Sequence, residues 1–495
     1  MTRKEIAKRL LAMHGAISLV FLLLISWSIW TGILSVYADL ARPWLRADVA
    51  AAFDNPAASP SAVLDFILQG GSLGESWNLL APTPLRPFHV YAGPVPPGGA
   101  PQVLMVNPAT GLREPWNNLA ADGLFRRIHT DLLLPKPWGR LAMGLAGALI
   151  TILVGTGLFI HGKQIRDAWR WRRSSPLLDL SESHKRVGLW LTPFLLLMAL
   201  TGAILGLKIA IPPVAQALGV AVEVPERPTF TRSLELTRLD RCVSDALAAA
   251  PDTRFAAINR SGDRVEIRLL RLRSLQWWGE GGGSVRALCD LTAGSVRLIQ
   301  TAPSGGIWGA LESALRPIHY ARFDSTAVLV AYILLSLLCL WSIDSGMKLL
   351  WLRQAGDGAD SVSRRLYRAN NQLYGVLPLL LLAGNLVAGC TPWLLMACAI
   401  LILVALNLTR WAGWLRHPAL SWGLAAAYML LIAGRHWLLP WTGAAWPPVL
   451  LTDASLLGMA FWLLQPWRPS PAAADRDPGR PTGTKETKGA QHQTG

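Results

Sequence analysis

Charge is scarce in this sequence. Only 16% of its 495 residues are Asp, Glu, Lys or Arg, against roughly 25% in an average soluble protein. With 52% hydrophobic residues and a mean hydropathy of +0.33, the deficit excludes an ordinary soluble domain. Several runs of about 20 apolar residues account for it, each long enough to cross a bilayer as a helix. Cysteine is scarce too. Cys242, Cys289, Cys339, Cys390 and Cys398 form no Cys-x-x-Cys pair, which argues against a thiol-ligated metal or cluster. No nucleophile triad or zinc motif is present, and Gly279 to Ser284 does not fit the GxxxxGK[ST] phosphate loop and reads as a turn. Acidic residues are outnumbered, and the net charge is +16. The basic residues sit beside the apolar runs, as cytoplasmic loops require, so the bilayer and not nucleic acid is the expected partner.

The basic residues also set the topology. Arg3, Lys4, Lys8 and Arg9 open the chain like a signal peptide, but no small-residue cleavage site follows. Residues 1–37 are therefore read as an uncleaved first helix, apolar from about 12. Residues 38–136 form a Pro- and Gly-rich outer insert with short alternating pieces at 88–91 and 102–106, and His89 is assigned to a loop. Residues 137–210 hold helices two (137–160) and three (187–210), joined by a strongly basic cytoplasmic loop. Residues 211–318 form a second outer insert that reads as α+β. Its helix is expected over 237–249, and its strands over 254–258, 264–270, 285–288 and 295–300. Cys242 and Cys289 lie there, where a disulfide is permitted, although sequence alone does not pair them. Residues 319–350 contain helix four (about 325–350), and 351–371 a basic cytoplasmic loop. Residues 372–466 carry four further helices (372–389, 393–409, 418–434 and 446–465), and 467–495 a polar tail expected to be disordered. The expectation is an all-α polytopic membrane protein of about eight transmembrane helices with both termini cytoplasmic.

Within the first four helices the sequence repeats. His14 is followed after 17 positions by Thr31-Gly32, and His184 after 17 by Thr201-Gly202. Arg126-Arg127-Ile128-His129 precedes Thr156-Gly157 by 27 positions, and Arg316-Pro317-Ile318-His319 precedes Ser345-Gly346 by 26. A tandem repeat of an even number of helices keeps its orientation, so the copies relate by an axis along the membrane normal. His14 and His184 then share a depth near the cytoplasmic face, and His129 and His319 share one near the outer face. Ionisable side chains inside a membrane mark function, and a symmetric pair of imidazoles can ligate one haem iron. Two such pairs form a four-helix core for two haem b groups, the four histidines serving as axial iron ligands. The glycines would admit a flat macrocycle or a neighbouring helix. His161 has Leu350 as its counterpart, so no symmetric partner exists for it. His417 and His436 read as interfacial, and His492 lies in the tail. Asp344 is an intramembrane acid suited to proton movement or to the inner surface, and Trp277-Trp278 could stack on a ligand.

His14 with Thr31-Gly32, Arg126-x-Ile-His129 with Thr156-Gly157, His184-Lys185-Arg186-x-Gly188 with Thr201-Gly202, and Ile318-His319 together resemble the PepSY-associated transmembrane family over about 10–355. The resemblance implies PepSY-like outer inserts in a bacterial inner-membrane protein, inner-haem ligands at His14 and His184, and outer-haem ligands at His129 and His319. Some similar proteins are di-haem reductases of ferric siderophores. The implied activity is a haem-dependent, ferric-reductase-like oxidoreductase taking electrons from quinol or a cytoplasmic reductase. A transporter and a non-enzymatic regulatory or assembly protein are the alternatives. The first would need a polar path that the core helices hardly supply.

Overall fold

The structure is a computed structural model that describes residues 2–55, 58–68, 76–83, 86–94, 101–115, 120–135, 137–161, 176–210, 236–261, 264–271, 284–290, 295–299, 315, 318–321, 326–353, 362–386, 418–439 and 443–464. The expected helix at 393–409, the tail at 467–495, His417, His492 and Trp277 to Gly283 lie outside them. The expected first helix is two helices, α1 (Arg3–Val20) and α2 (Leu22–Leu45), bent by 68° at Phe21. The two arms follow different neighbours: α1 packs on α6 (Trp138–His161), and α2 on α5 (Ala120–Asp131). His129 therefore sits on α5, a separate helix ahead of the span. The turn between α5 and α6 passes through Leu132 and Leu133 at φ 51° and 60°, and Ala321 after His319 has φ 52°. Helix three begins eleven residues earlier than expected, as α7 (Pro176–Leu207), so His184 lies within a helix and not at its entry.

Among the described residues, three helical stretches are long and apolar enough to cross a membrane: Trp138–Ile160, Leu178–Leu207 and Thr326–Leu350. The bent α1–α2 pair makes a fourth if it counts as one span. This is fewer than the eight expected.

The two inserts are not separate. Insert one gives α3 (Ala47–Ala51), α4 (Pro60–Leu68), β1 (Ser76–Leu80), β2 (His89–Pro94), β3 (Pro101–Asn107) and β4 (Leu112–Pro115). Insert two gives α8 (Leu236–Ala249), β5 (Thr253–Ser261), β6 (Arg264–Arg271), β7 (Ser284–Asp290) and β8 (Ser295–Ile299). All eight strands form one antiparallel sheet in the order β4-β3-β2-β1-β5-β6-β7-β8. The equivalent strands β1 and β5 meet at its centre, as a two-fold relation demands. Alternation puts Trp77, Leu79, Tyr91, Ile258, Ile267 and Ala287 on one face, buried under α4 and α8. On the opposite face of the first half, Val49 and Ala52 from α3 and its end cover Phe88, Val90, Met105 and Leu112. Because α3 continues α2 after a single residue, that second face looks toward the helical core.

The remaining elements are α9 (Thr326–Arg353), α10 (Val362–Leu386), α11 (Pro418–Leu438) and α12 (Trp446–Leu464). The last three bear on α2 through Tyr37, Leu40 and Trp44, which pack with Leu382, Tyr428, Val449 and Leu456. A polar knot reinforces the contact. Trp44 Nε1 donates to Asp453 at 2.8 Å, Arg435 Nε donates to the Trp44 carbonyl at 2.9 Å, and His436 Nε2 lies 2.9 Å from Asp453. His436, expected at an interface with lipid or water, is thus part of this knot.

Cys242 of α8 and Cys289 of β7 form a disulfide 47 residues apart in sequence, which ties helix to sheet. Replacing both with Ser should lower the stability of this domain by about 2–5 kcal/mol. Thermal unfolding of the purified chain tests this, and an unchanged midpoint would show the link to be dispensable. His89, expected in a loop, instead opens β2 and is buried. Burial, helped by Arg86 and opposed by Asp240, pushes its imidazole down to about 4. The unfolded chain binds the proton more readily. Stability is therefore full above about pH 6.5 and falls as pH drops toward 4, by up to about 3 kcal/mol. His89→Gln should flatten that slope in acid-unfolding curves. A slope as steep as the wild type's would mean that another group causes it.

Candidate functional site

Each of the four repeat histidines meets a Ser/Thr-Gly pair on another helix of its own hairpin. His14 Nδ1 lies 3.1 Å from Thr156 Oγ1, and His319 Nδ1 lies 2.9 Å from Thr201 Oγ1. His129 Nδ1 is 3.0 Å from the Ser28 carbonyl and 3.4 Å from Thr31 Oγ1. His184 Nδ1 is 2.9 Å from the Ser342 carbonyl and 3.4 Å from Ser345 Oγ. His14 and His319 likewise face backbone carbonyls, those of Leu153 and Met198. In every case the carbonyl stands three residues before the Ser or Thr.

These contacts fix the tautomer. Each hydroxyl gives its one proton to a carbonyl of its own helix: Thr31 to Trp27 at 2.6 Å, Thr156 to Leu153 at 3.0 Å, Thr201 to Leu197 at 2.7 Å, Ser345 to Ser342 at 2.9 Å. The hydroxyl oxygen is then left as an acceptor, and a carbonyl can only accept. The proton therefore sits on Nδ1, and Nε2 is the nitrogen that carries the lone pair. Such a second hydrogen bond is what orients an imidazole that ligates a metal.

The glycines make room for the rings. A Cβ built on Gly346 would stand 2.6 Å from His184 Cε1, on Gly202 2.9 Å from His319 Cε1, on Gly32 3.1 Å from His129 Cε1, and on Gly157 3.7 Å from His14 Cε1. The expected role of these glycines, admitting a macrocycle or a whole helix, is thereby made specific: they admit the imidazole. The Ser/Thr positions beside them were visible in the sequence, but their partners were not, since each lies about 100–160 residues away in the chain.

The repeat also pairs histidines across the two hairpins. His129 and His319 have ring centroids 6.0 Å apart and planes inclined by 20°. Direct stacking would bring the rings closer. Two imidazoles on opposite sides of one metal need a bond of about 2 Å each plus the distance from nitrogen to ring centre, which sums to about 6 Å. His14 and His184 lie within electrostatic reach of each other. On α7, His184 and the Thr201 that anchors His319 are 17 residues apart, about 25 Å of helix. The pairs thus occupy two levels, one toward the sheet and one at the far end. Among the described residues no group of three or more His, Cys, Asp or Glu is placed to hold a metal ion. Two imidazoles at a level would suffice to hold a metal only where a macrocycle supplied the other donors, so the residues present would fit haem. Asp344 pairs with Lys348 at 2.5 Å, and His161 ends α6.

Fold and site together define a membrane protein built on a duplicated helical hairpin, with two levels of paired histidines beneath a sheet domain. The chain belongs to the family described as PepSY-associated TM region, which matches residues 11–354. It is also similar to an uncharacterized protein of Pseudomonas aeruginosa, 28% identical over 397 residues that cover 73% of this chain and 98% of that protein.

Ring clearance gives a graded test. Gly346→Ala and Gly202→Ala should displace His184 and His319, at the cost of about 1–3 kcal/mol typical of overpacking. Gly157→Ala, with ordinary clearance, should be tolerated. Haem content of the purified variants is the measurement, and equal content in all three would mean that the glycines do not seat the rings.

Proposed function

We propose that this chain is a transmembrane di-haem b-type cytochrome of the bacterial inner membrane, a haem-dependent oxidoreductase that carries electrons outward. The observation that supports it best is the fourfold recurrence of an imidazole anchored through Nδ1, arranged as two pairs. His14 and His184 would hold one haem on the cytoplasmic side, and His129 and His319 the other beneath the sheet. Haem, when bound, supplies one-electron transfer at an iron whose potential follows its ligands and surroundings. The chain's own residues do the rest. Thr156, Thr31, Ser345 and Thr201 with their neighbouring carbonyls hold each ring in one tautomer and one orientation. Apolar side chains such as Ile25, Leu149 and Ile150 pack the space between helices and keep water out.

The reading extends to eight spanning helices with both termini in the cytoplasm, on the positive-inside distribution of Lys and Arg. The donor would be quinol or a separate cytoplasmic reductase. The acceptor would be a periplasmic one, with ferric siderophore iron as the first candidate and iron uptake as the purpose.

The purified chain should show a reduced b-type spectrum with about two haems per chain, and His14→Ala and His129→Ala should each remove one of them. If both variants keep full haem content, the ligand assignment fails.

A further inference from the structure

The two halves of the sheet differ on the face that looks toward the helical core. In the first half that face is apolar and covered by α3. The strand register carries the same face across the centre, from Leu80 to Ala257 on β5 and on to Arg268 on β6. Here its chemistry changes. Arg268 stands directly opposite Arg286 on β7, and Leu288, two residues along, stands opposite Arg297 on β8. Arg254, opposite Leu270, falls on the same face. Among the side chains described there, four arginines face two acids, Glu266 and Asp290.

Like charges placed directly across strands destabilise a sheet. Arg268 and Arg286 are such a pair, and one carboxylate serves both: Glu266 Oε1 lies 3.4 Å from Arg268 Nε and 3.7 Å from Arg286 Nε. Asn259, in the amide orientation that satisfies its neighbours, accepts from Arg268 at 3.0 Å. Arg286 Nε is itself buried and has no hydrogen-bond partner within range. The Arg268 and Arg286 side chains are about a quarter exposed (29% and 24%), and Arg297 is exposed. Planar forks with spare donors, held in register by strands, match the oxygen pairs of carboxylates.

We propose that this arginine face binds a small soluble polyanion through its carboxylate oxygens, in the form of a ferric polycarboxylate chelate. The choice of an iron chelate rests on the electron-carrier reading above; the anion site rests on the sheet alone. Glu266 occupies the guanidiniums that the ligand would use, so it acts as a competitor within the site.

The test uses the full chain in nanodiscs of phosphatidylcholine at low salt, with gallium(III) citrate as a redox-inert probe and calorimetry as the readout. The wild type should bind it. The double variant Arg268→Gln/Arg286→Gln should bind about tenfold more weakly or worse, since each loses a charge-assisted hydrogen bond. Glu266→Gln should bind several-fold more tightly, a gain that a misfolded protein cannot produce. Equal binding by all three, or none by the wild type, would overturn the proposal. So would an arginine-dependent response seen only when phosphatidylglycerol replaces phosphatidylcholine, because the occupant would then be a lipid headgroup. Haem absorbance recorded on the same samples separates the two readings. Arginine-dependent binding by a chain without haem would support this site and sink the electron-carrier reading.

Discussion

A buried imidazole N–H must find an acceptor, because an unpaired polar group in a low-dielectric interior is costly. In this protein the acceptor is always the same device. A Ser or Thr spends its proton on its own helix, and the carbonyl one turn back stands beside it. The two oxygens receive Nδ1–H, and the glycine that follows leaves space for the ring. Four copies of this arrangement bind the helical core together.

The reciprocity of these contacts gives the hairpins their form. His14 on α1 reaches Thr156 on α6, while His129 on α5 reaches back to Thr31 on α2. The second hairpin repeats the exchange: His184 on α7 reaches Ser345 on α9, and His319, ahead of α9, reaches Thr201 on α7. The same two-fold relation appears in the sheet, where β1 pairs antiparallel with its equivalent β5. Duplication thus makes one continuous sheet above and two histidine pairs below. The copies have diverged where symmetry is not needed: one half of the core-facing side of the sheet is sealed by α3, and the other is rich in arginine. Among the described residues the C-terminal helices pack against α2, the helix that carries Thr31 and Gly32, and also touch α5 and α9.

Much of this was legible in the sequence. The spans at 137–160 and 325–350 stood out because an apolar run of that length has one meaning in a bilayer. The strands of insert two were visible because alternation has a period of two, and the helix at Leu236–Ala249 differs from its expected start by one residue. The break at Phe21 was not visible, since the run on either side of it is uniformly apolar. His89 was missed because a single polar residue at the head of a strand looks like loop. His436 was missed because its partners, Asp453 and the knot around Trp44, lie on other helices.

Spacing alone determined that the chain is duplicated, that it belongs in a membrane, and which histidines correspond, because those properties are written along one dimension. The tertiary structure decided the rest. Only folding brings Thr156 to His14 and Thr201 to His319, since hydrogen-bond partners more than a hundred residues apart leave no periodic trace. Only folding could join the two inserts edge to edge, since strand pairing is chosen by register and available edges, not by the composition of either strand.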